Sequence, residues 1–263
     1  MTSSNPILAV KGLSHTYGHG ATAHRAIAQV DFELMTGQAI SVVGPSGAGK
    51  TTLLRCLAGL QTPTGGSVEI EGVPVTRVPS SIGVVFQDYS RSLMPWLSVK
   101  RNVEFPLRGH GLDKREVQQR AMDALALVGL TAAADRHPRQ LSGGMQQRVA
   151  IARAVAVQPR ILIMDEPFAS VDAQTRAELE DLTLSVRRRT DTSVVLVTHD
   201  IDESVYLADS VLVLSGNPSR VVDQLPVELG YPRDQLTTKR QENYLDVRSK
   251  VYEMIHPHRM TQP

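Results

Sequence analysis

The sequence predicts an α/β protein: a doubly wound layer of parallel strands and helices, preceded by an antiparallel β portion and interrupted by a helical insert. Three observations predict it. The first third carries short apolar or alternating runs parted by turn residues, the pattern of half-buried antiparallel strands. Between residues 98 and 140 the apolar spacing turns helical. From residue 160 onward apolar strands alternate with helices, as parallel sheets require. The 263 residues, 41% hydrophobic and 21% charged, suffice to bury a core without disulfides and are too apolar for disorder.

In order, residues 7–15 and 29–35 read as strands, and residues 39–43 as a compact apolar strand entering a glycine-rich turn. Residues 50–60 have helical character. Residues 68–70 and 82–86 are further strands, separated by a turn-rich stretch at 72–81. Across residues 113–130, Val117, Ala121, Ala124, Leu125 and Val128 fall on one helical face. A turn with Asp135 and Pro138 leads to a helix over 142–157. A strand (161–165), helix (173–188), strand (193–198), helix (202–208) and strand (211–215) follow. Thr238 with Gln241 has capping-box spacing and opens a last helix through Ile255, closed by Pro257. Its apolar face, Tyr244, Val247, Val251 and Ile255, packs most simply on the core.

Lys plus Arg number 28 against 27 for Asp plus Glu, a net charge of +1. A general nucleic-acid binder carries a basic excess, which is lacking here. The single cysteine, Cys56, excludes an internal disulfide and points to a reducing compartment. Residues 1–10 lack the basic and apolar regions of a secretory signal. No eighteen apolar residues run together, so a soluble chain is expected, borrowing any membrane role from a partner.

Gly44, Pro45, Ser46, Gly47, Ala48, Gly49, Lys50 and Thr51 fit the phosphate-binding loop: glycine, four residues, glycine, lysine, then serine or threonine. After a strand, glycines let backbone N–H groups turn inward, and the following helix adds its positive end. Lys50 is expected to reach the β- and γ-phosphates, and Thr51 to take one site on Mg²⁺, with Thr52 completing the cradle. A second anchor is Ile161-Leu162-Ile163-Met164-Asp165-Glu166, where a buried strand ends in two carboxylates. Ligands of α/β sheets bind at such ends. Asp165 is expected to hold Mg²⁺, and Glu166 to orient or deprotonate an attacking water.

Between these anchors stands Leu141-Ser142-Gly143-Gly144-Met145-Gln146-Gln147-Arg148 at a helix start. With the two flanking motifs it resembles the signature of the ATP-binding cassette, and residues 7–216 resemble an ABC transporter ATPase subunit. The resemblance implies a P-loop NTPase core of the ABC type, with an N-terminal antiparallel β subdomain and an inserted helical subdomain. It divides the chain into an ATPase domain over 1–224, with the insert at about 98–157, and a helical tail over 225–263. It further implies that Ser142, Gly143 and Gly144 contact the γ-phosphate of ATP held by a second copy of the chain. Tyr17 matches the aromatic residue that stacks on adenine, Gln87 the glutamine that senses Mg²⁺ and water, and His199 the switch histidine on the γ-phosphate. Ala169-Ser170-Val171-Asp172 stands at the dimer-interface loop. Two departures are Met145, where glutamine is most common, and Ala169 with Val171 in that loop; neither removes a group the chemistry needs.

Val85-Phe86-Gln87 through Leu93-Met94-Pro95-Trp96, then Val99, Asn102 and Val103, are similar to the nitrate, sulfonate, taurine and bicarbonate importers. The Met-Gln-Gln-Arg form of the signature and the short C-terminal helix agree. That subfamily implies two transmembrane permease subunits, a separate solute-binding protein, no nucleic acid, and residence on the cytoplasmic face of the membrane. Trp96 has two readings, docking of a membrane partner or packing inside the insert. A soluble ABC ATPase acting on nucleic acid or ribosomes is the alternative; such proteins usually fuse two cassettes or insert long coiled coils, and neither is present.

Overall fold

Strands β1 (Leu8–Tyr17) and β2 (His24–Leu34) pair antiparallel with Leu8 opposite Leu34, and alternate buried positions in β2 give the pair a core face. In this computed structural model residues 5–256 are described. The chain continues through β3 (Ala39–Val43), α1 (Lys50–Leu57), β4 (Gly65–Ile70), β5 (Val73–Pro74), β6 (Ile82–Val85), α2 (Tyr89–Ser92) and α3 (Val99–Glu104). Then come α4 (Lys114–Leu127), α5 (Gly143–Ala156), β7 (Ile161–Asp165), α6 (Ala173–Thr190) and β8 (Ser193–Val197). Last are α7 (Ile201–Leu207), β9 (Ser210–Ser215), β10 (Ser219–Pro226) and α8 (Glu242–Ile255). Contacts divide the chain into two units, Met1–Pro79 with Ser193–Pro263, and Ser80–Thr192.

In the first unit the strands run in the order β5-β4-β1-β2-β10-β9-β3-β8. The β4–β1–β2 end is antiparallel, whereas β3 lies between β8 and β9 with both neighbours parallel. All five residues of β3 and all five of β8 are buried, as expected of parallel strands covered on both faces. Helix α1 packs on β8, α7 on β3 and β9, and α8 on α7 and β9. Cys56 is buried in α1, and that burial pushes its thiol pKa up to about 11, so it is an inert packing residue.

The second unit pairs β6 with β7 in parallel, Ile82 opposite Ile161. Helix α5 is its centre, packing on α2, α3, α4, α6 and β6. Its residues Val149, Ala150, Ile151 and Ala152 are buried in succession, so it is covered nearly all round. Asp113 caps α4 by accepting the Glu116 amide at 2.8 Å.

The α/β class, the antiparallel N-terminal portion and the parallel strands agree with the sequence-based expectation. Several details are corrected. Helix α1 ends at Leu57 rather than residue 60, and Gly59 follows with φ 68°. Strand β2 begins at His24, before residue 29, and β10 was not expected. The last helix does not open at Thr238: residues Thr238–Arg240 form a 3-10 turn, Gln241 is extended, and α8 starts at Glu242 with no side-chain cap. The Thr238 hydroxyl instead accepts the Asp234 amide, while the Asp234 carboxylate takes the Leu236 and Thr237 amides. On α8, Tyr244 and Val251 are buried and Val247 and Ile255 half-buried. Pro257 and residues 1–4 of the N-terminal segment lie outside the described residues.

Candidate nucleotide site

In the first unit β3 runs into residues 44–49, and α1 starts at Lys50. A Cβ on Gly44 would lie 2.5 Å from the Leu214 carbonyl oxygen of β9, so no larger residue fits where the strand turns. Gly47 and Gly49 have φ of 79° and 67°, the left-handed region that side chains resist. The Ala48 amide closes a turn on the Pro45 carbonyl at 3.1 Å, and the Ser219 hydroxyl donates to the Ala48 carbonyl. Lys50 is buried, its Nζ donating to the carbonyls of Gly44 at 2.8 Å and Pro45 at 3.1 Å. The ammonium is therefore fixed at the loop. No acidic residue sits in the first turn of α1 to oppose the helix's positive end. A backbone bend that excludes Cβ atoms, a held ammonium and a helix N-terminus together form an anion cradle.

Two more expected residues belong to this unit. Tyr17, at the end of β1, shares a hydrogen bond of 3.1 Å with the Thr52 hydroxyl and donates to Gln61 Oε1 at 3.2 Å. Its ring stands edge-on to His15, 4.6 Å between centroids. The phenol is thus anchored to the first turn of α1. His199 is exposed, two residues beyond the end of β8. Val42 of β3 is opposite Val197 of β8 in parallel register, so Gly44 and His199 emerge from the same sheet edge.

In the second unit the parallel register of β6 and β7 sets Val85 opposite Met164, and the chain ends beyond them carry Gln87 and Glu166. Gln87 Nε2 donates to Glu166 Oε2 at 3.0 Å. Asp165 is the buried last residue of β7. Glu166 has φ 41°, a conformation costing a non-glycine residue about 1–2 kcal/mol. Such strain persists where the surroundings hold it, commonly at functional sites.

The same unit holds the signature residues. Ser142 caps α5, its hydroxyl accepting the Met145 amide at 3.3 Å, and its carbonyl accepts the Gln146 amide. Ser142 and Gly143 are exposed on the first turn. At Gly144 a Cβ would meet Thr175 Cγ2 at 2.4 Å, so glycine lets α5 approach α6. Thr175 in turn donates from its hydroxyl at 2.7 Å and its amide at 3.0 Å to Asp172, the cap of α6. Those hydrogen bonds hold the Asp172 carboxyl below its ordinary pKa.

The donors expected for Mg²⁺ are one hydroxyl (Thr51), one amide (Gln87) and one carboxylate (Asp165). Among the described residues no group of three or more His, Cys, Asp or Glu could hold a metal by itself. Hydroxyl, amide and carboxylate oxygens are each hard donors of the kind Mg²⁺ takes.

Three contributors escape sequence reasoning. Ser219 supports the loop from 171 positions away, a separation that leaves no local signal. Thr198 and Glu203 brace His199: the Thr198 hydroxyl donates to Glu203 Oε2 at 2.7 Å and accepts the Asp200 amide at 3.0 Å. The spacing of Asp200 and Glu203 is that of a capping box and marks the start of α7 correctly.

The ABC transporter family matches residues 27–169. An uncharacterized ABC transporter ATP-binding protein of Methanocaldococcus jannaschii is 41% identical over 94% of this chain and 91% of its own length. The nitrate import ATP-binding protein NrtD of Synechocystis is 42% identical, over 82% of this chain and 80% of its own. The taurine import ATP-binding protein TauB of Yersinia pestis is 44% identical, over 78% and 80%. Among solved structures, a dimeric ATP-binding cassette in a post-hydrolysis state with ADP and Pi superposes with a TM-score of 0.73 at 31% identity, covering 85% of this chain and all of that one. The chain therefore belongs to the ABC transporter family, as one of its ATP-binding and ATP-hydrolysing subunits.

Proposed function

We propose that this subunit energises the import of a small anion or organic sulfonate through separate membrane subunits. The observation that carries this reading is the 42–44% identity to nitrate and taurine import subunits over about four fifths of each chain. In the first unit, the backbone N–H groups of the loop at residues 46–52 and the Lys50 ammonium bind the triphosphate, Tyr17 stacks on adenine, and His199 holds the γ-phosphate. In the second, Glu166 orients and deprotonates the attacking water, with Gln87 holding its carboxylate in place. Thr51, Gln87 and Asp165 would each offer an oxygen to Mg²⁺, which would supply neutralisation of phosphate charge. Ser142, Gly143 and Gly144 serve the ATP of a second copy, consistent with the dimeric cassette to which the chain is similar. ATP then acts as interface glue, and its hydrolysis opens the dimer and drives alternating access in two permease subunits.

The second unit supports the membrane attachment. Asn102 is completely buried; its side chain accepts the Met94 amide at 2.8 Å and donates to the carbonyls of Met94, Leu97 and Ser98, each at 3.1 Å. One side chain thereby fixes the whole 94–98 loop, and Trp96 projects from it 73% exposed. Packing of Trp96 inside the insert is ruled out by that exposure. A rigidly presented tryptophan is the residue type that anchors interfaces, and we assign it to a permease subunit. No helix among the described residues is long and apolar enough to cross a membrane; the attachment proposed, after the import subunits to which the chain is similar, is peripheral and on the cytoplasmic face. A solute-binding protein delivers the cargo.

The test is co-purification of the tagged chain from mildly solubilised membranes, followed by mass spectrometry. A multi-span permease, retained by the wild type and lost with Trp96→Ala, is the expected result. Recovery only with ribosomes or DNA would overturn the importer reading. If the permease is found, its solute-binding protein is screened with nitrate, taurine and alkanesulfonates.

A further inference from the structure

His199 is the middle residue of the three that join β8 to α7, and both of its neighbours are tied to the first turn of α7. Thr198 holds Glu203 through its hydroxyl, and the Asp200 carboxylate accepts the Glu203 amide at 3.1 Å. Glu203 is itself buried, 3% exposed. Wherever α7 sits, His199 must follow. Helix α7 has only seven residues, too few to be stable without tertiary anchors. The Ser41 hydroxyl of β3 supplies one anchor by donating to the Ser204 carbonyl at 3.0 Å.

The C-terminal tail grips α7 at both ends. At the C-terminal end, the Arg233 guanidinium, with no exposed side-chain surface, donates to the carbonyls of Tyr206 at 2.7 Å and Ala208 at 2.9 Å. These are carbonyls that a helix end leaves without intrahelical partners, and a cation is favoured there. At the same end, Lys239 Nζ lies 4.9 Å from the ring centroid of the fully buried Tyr206. At the N-terminal end, the Asp202 carboxylate accepts from the buried Tyr244 hydroxyl at 2.9 Å and from Arg248 Nε at 2.8 Å. Four tail side chains, Arg233 and Lys239 before α8 and Tyr244 and Arg248 on it, thus meet one short helix.

We propose that the tail is a positioning device for His199: by clamping α7 it sets the imidazole against the γ-phosphate, so Arg233, Tyr244 and Arg248 are positioning residues for hydrolysis. The inference rests on the assignment of His199 given above. It predicts a signature that simple packing does not. Loosening the clamp displaces the switch histidine while the cradle at residues 44–52 keeps its own supports, so turnover falls and ATP affinity does not.

The experiment uses the full chain, with Tyr244→Phe and Arg248→Met combined, which deletes the hydrogen bonds to Asp202 but keeps the ring and most of the aliphatic stem. Phosphate release is measured per bound nucleotide, beside an ATP titration. The expected result is a loss of about tenfold in turnover, the scale of a sub-ångström misplacement, with ATP affinity held within about twofold. Arg248→Lys, which preserves the charge on Asp202, should recover most of the rate when paired with wild-type Tyr244. Wild-type turnover in the double variant, or an equal loss of turnover and affinity, would overturn the clamp. His199→Ala is the separate control. If that variant hydrolyses ATP at the wild-type rate, the assignment of His199 falls, and the clamp with it; if it is inactive, the double variant alone decides.

Discussion

The loop at residues 44–51 and the carboxylates of Asp165 and Glu166 each stand at the end of a fully buried five-residue strand, yet they are built by opposite means. The loop is made of backbone. Its shape comes from a glycine that a Cβ would drive into Leu214, from left-handed φ at Gly47 and Gly49, and from a lysine folded onto its own carbonyls. The strand end is made of side chains. Gln87 holds the Glu166 carboxylate across a parallel strand pair, and Glu166 is kept in a backbone conformation that opposes it. A backbone cradle should govern affinity, since it meets the ligand in ground and transition states alike. A strained, hydrogen-bonded carboxylate should govern rate, since the proton it takes moves only as the bond breaks.

Substitution at the strand end gives the largest effect. Glu166→Gln keeps the size and the positive φ but loses the basic oxygen, and turnover should fall by about 10²–10⁴ while ATP binding persists. Phosphate-release kinetics beside a nucleotide titration measure both; normal hydrolysis would remove Glu166 from its role. On the cradle side, Lys50→Ala deletes a charge-assisted donor to phosphate. ATP affinity should weaken by about 10- to 100-fold, the equivalent of 1.5–3 kcal/mol for a hydrogen bond to a charged group. Unchanged affinity would mean that the loop amides suffice and that the ammonium serves only the transition state.

The same contrast explains what could be read from the sequence. The cradle was legible because backbone geometry is written into glycine spacing, with no distant partner needed to recognise it. The strand end was legible as a location, from four apolar residues before two acids, but its strain was not, because no residue type announces a positive φ at glutamate. The parallel core strands β3, β7 and β8 stood out as short, mostly apolar runs. Strand β10 did not, since most of its side chains are exposed or half-exposed and its residues, with Arg220, Asp223 and Gln224 among them, carry no hydrophobic period. The tail failed differently. Thr238 and Gln241 had the spacing of a helix start, but the Asp234 carboxylate and the Thr238 hydroxyl bound backbone amides of a local turn instead. Nothing local marks Arg233 as a buried cap, because the carbonyls it binds at the end of α7 lie 27 and 25 positions away.

A smaller effect separates strain from chemistry at Glu166. Asparagine tolerates the left-handed region better than glutamate or glutamine. Glu166→Asn should therefore be as inactive as Glu166→Gln but more stable than it, by about 0.5–1 kcal/mol in denaturant midpoints. Equal stabilities would show that the surroundings bear no strain at this position.

The smallest effect concerns the tail, whose hold on α7 includes an exposed ion pair rather than backbone geometry. Burial works to raise the Asp202 carboxyl, but hydrogen bonds from Arg248 and Tyr244, with the charges of Arg248 and Lys239, outweigh it and hold the pKa below its ordinary value. A carboxyl lowered in the folded state adds stability that is complete above its unfolded pKa, about 3.9. That stability is lost as pH falls through the lower folded value, because the unfolded chain then binds the proton more readily. Both partners are more than two fifths exposed, so solvent screening keeps the contribution below about 1 kcal/mol. Thermal melting from pH 6 down to pH 3 should show wild type above Asp202→Asn at the neutral end and the two converging at the acid end. Salt should narrow the gap at pH 6, since the pair is open to screening. A gap that stayed constant with pH would place the grip of the tail in Arg233 and the buried Tyr244 ring alone, with the ion pair contributing nothing.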